Sequence, residues 1–437
     1  MTLRPFTAFF AAFALHFASP AAAKLSSAEQ AMVRTVEAEQ ERTVAMLGKW
    51  VDQNSGTLNS PGVEAVGRMV RSELEPLGFE VEWIDMKATG RAGHLVARHK
   101  GNGTGKKLLL IGHLDTVFEP DSPFQRWERK GKWGHGPGAA DDKGGVAVIV
   151  AALRAMQVAG TLRDSDIIVF ITGDEEDPGE PIALARRDLI AAGKWADVAL
   201  GFEGLIRDEG KDMGSTARRS SGSWTVEAKA TSAHSSGVFT QSSGYGAIYE
   251  LARILEAFRQ ELREDKLTYS VGLIGGGTSA KLDEGRIRIE ATGKTNIIPP
   301  VAIARGDLRA LTIAQIKRTQ AKMRAIVARS LPGASATIIF HEKGYPPMSP
   351  KPGNSALLQQ LNRVNADAKL PIMGELDPVK RGAADISFVA SDVDALAGMG
   401  PASAGDHTPE EKVDIPSIAL QAKRAAILMS RLAAQPR

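Results

Sequence analysis

The chain has no cysteine among its 437 residues. That excludes disulfides, thiolate metal ligands and lipid attachment through a thiol, so any metal has to sit on histidine, aspartate or glutamate. Neither sign of charge dominates. The 54 Lys and Arg against 51 Asp and Glu leave a formal charge of +3, spread along the chain, which does not suggest a nucleic-acid partner. Internal repeats and low-complexity segments are absent. The apolar stretch from Phe6 to Phe17 falls short of the roughly 20 residues a membrane-spanning helix needs, and His16 and Pro20 weaken it further as an anchor.

Arg4, that apolar stretch and the small residues Ala21, Ala22 and Ala23 follow one another in the order of a cleaved secretory signal. The expectation is an exported protein, periplasmic or secreted, cut after Ala23 and free of the membrane afterwards. A chain of this length exceeds the size at which single cores stop growing, so two domains are expected. Hydrophobic residues at 43% and charged residues at 24% are ordinary for a soluble globular protein.

Helical signals run from Ser26 to Trp50 and from Ser60 to Leu77, the second opening with Pro61 in the first turn. Strand signals follow at Phe79–Met86, His94–His99 and Lys107–Ile111, then a helical run Gly144–Gln157 and a buried strand Ser165–Thr172. Strands alternating with helices predict an α/β fold with an open, mainly parallel sheet. Near Gly214 the rhythm changes. Ser223–Ala230, Leu267–Ile274, Arg286–Thr292, Ala302–Leu308 and Ala336–His341 read as strands, with helices at Gly244–Leu262 and Thr312–Leu331, which predicts an inserted two-layer α+β unit. From Tyr345 the first pattern returns, with a helix from Asn354, an apolar run Ala395–Met399 and a last helix at Pro416–Leu432. The predicted division is therefore 24–213 and 345–437 for one domain and 214–344 for the insert.

Open parallel sheets bind ligands beyond the carboxyl ends of their strands, and the chemistry-bearing residues cluster at such ends. In IGHLDTV, His113 ends a buried strand and Asp115 follows two residues later. A metal-bound imidazole usually donates its other N–H to a carboxylate or carbonyl, a role that suits Asp115; alone, the segment also reads as a polar turn. GHGPGAADDKGG carries Asp141 and Asp142 ahead of a helix. It lacks a phosphate-loop spacing, and a carboxylate can bridge two cations, as Asp141 would. ITGDEEDPGEP sets Asp174, Glu175 and Glu176 directly after an apolar strand, where their mutual repulsion calls for a cation. One acid can then bind metal while its neighbour accepts a proton from an activated water. Glu203 in ADVALGFEG and His407 in GPASAGDHTPEE are unremarkable alone, since a loop histidine is more often a surface residue than a ligand.

Taken together and in order, these segments resemble the co-catalytic zinc exopeptidases and deacylases, a family including glutamate carboxypeptidase, aminoacylase, acetylornithine deacetylase and succinyl-diaminopimelate desuccinylase. The resemblance covers nearly the whole chain after the leader. It implies His113 and Glu203 on one metal, Glu176 and His407 on the other, and Asp141 bridging both. It implies Glu175 as the general base, Asp115 as the partner that orients His113, and a cis peptide between Asp141 and Asp142. The insert resembles that family's lid and dimerisation domain. ATSAHSS then implies that His234 stabilises the developing oxyanion, in several members across a dimer, and TNIIPPVAIARGDLR implies Asn296 and Arg309 as substrate contacts.

The expected cofactor is a pair of zinc ions, although cobalt or manganese also accept nitrogen and oxygen ligands. The expected partners are a small peptide or N-acyl amino acid and a second copy of the chain. Two segments depart from the glutamate carboxypeptidase pattern. EKGYPPM places Tyr345 where a glycine-arginine-proline supplies an arginine, and KRGAADIS replaces a glycine-rich segment, with Lys343 or Arg381 available to hold a substrate carboxylate. Release of a C-terminal amino acid is the leading expectation and removal of a small acyl group its enzymatic alternative. An inactive relative retained as a binding protein is the third; such proteins typically lose ligands or the base, and here all are present.

Overall fold

The computed structural model describes residues 24–437; the leader expected over 1–23 lies outside them. Three helices come first, α1 (Ser27–Ala38), α2 (Gln40–Asp52) and α3 (Ser60–Leu74). The single helix predicted over Ser26–Trp50 is broken at Glu39, whose backbone leaves helical values at φ −95° and ψ 7°. Next, α3 ends earlier than Leu77 because Pro76 lacks the N–H that would continue it. The chain tightens into a single 3-10 turn at Glu75–Leu77 and leaves through Gly78 at φ 88°.

The central sheet contains β1 (Glu80–Asp85), β2 (Gly93–His99), β3 (Leu108–His113), β4 (Ile167–Thr172) and β5 (Val198–Gly201), with α4 (Lys143–Val158) between β3 and β4 and α5 (Arg187–Trp195) before β5. A last strand is supplied from far along the chain. The order is β1-β2-β4-β3-β5 with that strand, Asp394–Leu396, at the outer edge beyond β5. Every strand except β2 runs the same way. Both faces are covered, as an apolar strand without alternation requires. Leu108 and Leu110 pack into the cluster around α1 to α4, while Leu109 and Ile111 pack with Leu189 and Val389 on the other side. Nearly every residue of α4 is buried, because sheet and helices enclose it on all sides.

The insert forms its own sheet from β6 (Gly222–Ala230), β7 (Thr268–Gly277), β8 (Val301–Arg309) and β9 (Ala334–Phe340), all antiparallel in the order β7-β8-β6-β9. Two helices, α6 (Ala247–Glu261) and α7 (Ile313–Val327), cover one face around Trp224, Phe258 and Met323. The strand predicted at Arg286–Thr292 is shorter and does not join this sheet. Its Ile289–Thr292 part pairs only with Ser279–Leu282 as a separate hairpin. After the insert come α8 (Pro352–Asp367), the edge strand β10 (Asp394–Leu396) and α9 (Ile415–Ala433). The two crossings between the units run side by side, with Ser221 paired to Tyr345 and Arg218 to Met348. Among the described residues no helix is long and apolar enough to cross a membrane.

Candidate active site

The ends of β3, β4 and β5 point the same way and bring distant residues together. His113 is the last residue of β3, Glu175 and Glu176 follow β4, Glu203 follows β5, and Asp141 precedes α4. The Asp141–Asp142 peptide is cis. His407 arrives from the loop before α9 and takes a left-handed backbone at φ 63°, uncommon for a residue with a side chain.

One carboxylate organises the cluster. Asp141 presents Oδ1 to His113 Nε2 at 3.1 Å and Oδ2 to His407 Nε2 at 3.1 Å. Glu176 Oε2 lies 3.3 Å from the same nitrogen of His407. His113, Asp141 and Glu176 each offer a donor atom within 4.8 Å of the others. Two ligands on one tetrahedral zinc stand about 3.3 Å apart, given metal–ligand distances near 2 Å. The donor set of His113, Asp141 and Glu176 and its spacing therefore fit a metal ion. Glu203 differs: its Oε2 accepts from Arg218 Nη2 at 2.8 Å and from Arg381 Nη2 at 3.4 Å.

Asp115 does more than the sequence suggested. Its main-chain carbonyl lies 3.1 Å from His113 Nδ1, its Oδ1 3.4 Å from the same atom. The carboxylate also accepts the backbone N–H groups of Glu175 and Glu176 at 3.0 and 3.1 Å, and the hydroxyl of Thr57 at 2.7 Å. Residues unremarked in the sequence hold the rest of the frame. Glu411 accepts from the amides of Ala140 and Asp141, and buried Arg186 donates to Asp174 at 2.6 Å and Asp385 at 2.7 Å. Arg218, next to Arg219 in ARRSS, carries no signal in the sequence and is 2% exposed. Only the pairing of the two crossings turns it inward.

The electrostatics are those of concentrated negative charge. Hydrogen bonds to Asp141 and then Glu176 push His407 up to about 11. Burial raises Glu175 well above the usual carboxylate range, with the Glu203 charge adding to it. Burial works the same way on Asp141, but its hydrogen bonds from His113 and His407 win and hold it well below that range. A cavity of about 280 Å³ opens over the cluster, walled by Asp141, Glu175, Glu176, Glu203, Arg218, Lys380, Arg381 and His407. Of the residues predicted to contact substrate, only Arg381 lines it. Arg309 is held by Asp307 at 3.1 Å, with Nη1 4.0 Å from where a Cβ on Gly382 would stand, beside the cavity. Asn296 and His234 are exposed on the insert, and His234 Nδ1 accepts from Ser236 N at 3.2 Å.

Residues 109–431 match peptidase family M20/M25/M40, a span taking in every residue of this cluster. The chain belongs to that family. Carboxypeptidase G2 of a Pseudomonas species is 29% identical over 91% of this chain and 90% of its own. Succinyl-diaminopimelate desuccinylase of Leptothrix cholodnii is 25% identical over 86% and 95%. Aminopeptidase PepT of Bacillus cereus has the same fold, with a TM-score of 0.70 at 19% identity over 90% of this chain and 99% of its own. The family is the one the motifs resembled, and the fold of this M20 peptidase is an α/β sheet carrying an α+β insert.

Proposed function

We propose that the protein is an exported two-zinc carboxypeptidase that hydrolyses the amide bond of a C-terminal amino acid, glutamate included, in small peptides or N-acyl amino acids. The observation that carries this reading is the Asp141 carboxylate with one oxygen toward each of two histidines. A dinuclear metal-binding peptidase of the same family from Bacillus subtilis, similar in fold at a TM-score of 0.63 and 16% identity over 91% of this chain and 99% of its own, adds support for a pair of ions. His113 and Asp141, with Glu203 once released from its arginines, would hold one; Asp141, Glu176 and His407 would hold the other. When bound, such cations supply the positive charge that activates a water and polarises the scissile carbonyl.

The chain's own residues do the remainder. Glu175 projects into the cavity with both neighbouring amides fixed by Asp115, and takes the proton from the attacking water. The same carboxyl then returns that proton to the leaving amine. Arg381 presents a planar fork to a substrate carboxylate. His234 from the insert would stabilise the oxyanion, and Asn296 and Arg309 would close over the substrate. A homodimer through the insert has support in the edge strand β7, where Val271 and Ile274 are 43% and 59% exposed.

The test is Glu175→Ala. Turnover falls by about 10²–10⁴-fold, the range for loss of a positioned acid–base group, while elemental analysis still finds two metals per subunit. Normal turnover in this variant contradicts the mechanism, and wild-type protein without metal contradicts the reading altogether. Removal of a small dicarboxylic acyl group is the second reading. It is favoured by the desuccinylase relatives and by two arginines, Arg218 and Arg381, on one wall. A panel of dipeptides and acetyl- or succinyl-amino acids separates the two, and activity confined to the acyl substrates defeats the carboxypeptidase assignment.

A further inference from the structure

Tyr345 stands where the family's glutamate carboxypeptidase pattern has an arginine, yet it does not line the cavity above the cluster. Its side chain turns the other way. The hydroxyl donates to the main-chain carbonyl of Glu175 at 2.7 Å and accepts from Arg186 Nη2 at 3.1 Å. The ring packs on Phe388 at 4.9 Å between centroids. Arg186 is itself fixed, through Asp174 Oδ1 at 2.6 Å, Asp174 O at 3.1 Å and Asp385 at 2.7 Å.

The peptide unit joining Glu175 to Glu176 is therefore gripped at both ends. Its carbonyl is held by Tyr345, and its N–H, that of Glu176, by Asp115 Oδ2 at 3.1 Å. A third bond, from Glu175 N to Asp115 Oδ1 at 3.0 Å, fixes the preceding unit. The planes of its two flanking peptides set the direction of a residue's Cα–Cβ bond, so these contacts fix where the Glu175 side chain starts. Two of the three come from Asp115 within the catalytic sheet. The other comes from the crossing to the insert, where Tyr345 N donates to Ser221 O at 2.7 Å and Ser221 N to Tyr345 O at 3.0 Å.

We propose that Tyr345 is a positioning residue for Glu175, tying the base to the paired crossings that carry the insert. The inference rests on Glu175 being the base. The chemistry needs the carboxylate within hydrogen-bond reach of the proton it takes, and a displacement of about 1 Å can cost 10²-fold in rate. Substrate binding relies on other groups, so the loss falls on kcat.

The experiment compares Tyr345→Phe with wild type on whichever dipeptide or acyl-amino acid the wild type turns over fastest. Thr172→Val is the control. Thr172 donates to Asp385 at 2.5 Å, so this variant loosens the same buried cluster without removing a contact to Glu175. The expected result is a kcat lowered about 10- to 100-fold in Tyr345→Phe, KM within twofold of wild type, two metals retained, and Thr172→Val within threefold of wild type. A kcat within threefold of wild type in Tyr345→Phe overturns the proposal. So does a raised KM at unchanged kcat, which would make Tyr345 a substrate contact, and so does an equal loss in Thr172→Val, which would make the effect general loosening. Loss of metal from Tyr345→Phe overturns it as well. Glu175→Ala in the same assay separates the two levels. If it is inactive while Tyr345→Phe is unimpaired, only the positioning role fails; if it is active, the assignment of the base fails and the proposal with it.

Discussion

Among the residues walling the cavity, Arg381 is the one the proposed function assigns to a substrate carboxylate. It replaces part of a glycine-rich segment of the resembling family, and its guanidinium reaches the cavity 3.4 Å from Glu203. Neighbouring Arg218 is anchored twice, to Glu203 and to the carbonyl of Gly382 at 2.8 Å, so it belongs to the frame. Arg381 has the single long contact and is the freer of the two to meet a carboxylate. A hydrogen bond to a charged group contributes about 1.5–3 kcal/mol, so Arg381→Ala should lower kcat/KM about 10- to 100-fold on substrates with a free C-terminal carboxylate. The same substrates with an amidated C-terminus should show little difference between variant and wild type. Steady-state kinetics on such matched pairs checks this, and an equal loss on both removes Arg381 from carboxylate binding.

At the scale of elements, the loop after β4, the start of α5 and the turn at 385–388 meet at one buried side chain, Arg186, which is fully shielded from solvent. Asp174 and Asp385, nearly as buried, are its partners. Replacing Arg186 with Met leaves two carboxylates without a cation in the interior. Breaking a buried pair in this way costs about 3–5 kcal/mol, which urea unfolding monitored by circular dichroism should report as a lowered midpoint. The elements themselves were legible where local pattern determines them. KLLLI and SDIIVFIT are short apolar runs without alternation, the pattern of strands covered on both faces, and the acids beyond them stand out because repulsion there needs a reason. Pairing between segments far apart in sequence left no such trace. The strand signal at Arg286–Thr292 is genuine, but nothing local says that it pairs with Ser279–Leu282 instead of the four-stranded sheet. Arg218 and Tyr345 gain their importance from the crossings lying side by side, a relation spanning more than a hundred residues. The same is true of Glu411, which reaches back to the amide of Asp141.

For the molecule as a whole, the relation to resolve is between the insert and the proposed catalytic residues. The proposed metal ligands and Glu175 lie on one unit, while His234 and Asn296 are exposed on the other and absent from the cavity walls. Beyond its two bonds to Ser236 through Nδ1, His234 keeps Nε2 without a hydrogen bond among the described residues, so that nitrogen is available to a group from elsewhere. If the insert forms a twofold dimer, a partner's His234 can complete each site, and complementation between damaged subunits becomes possible. In a mixed dimer of Glu175→Ala with His234→Ala, one site receives both lesions and the other receives neither. Equal amounts of the two chains, dissociated and reassembled at random, put half of the dimers in the mixed class, so roughly a quarter of all sites are intact. Each variant alone should be nearly inactive, and the reassembled mixture should recover about that fraction of wild-type activity. No recovery, with mixed dimers demonstrated by mass, would place His234 in the site of its own subunit or outside the reaction.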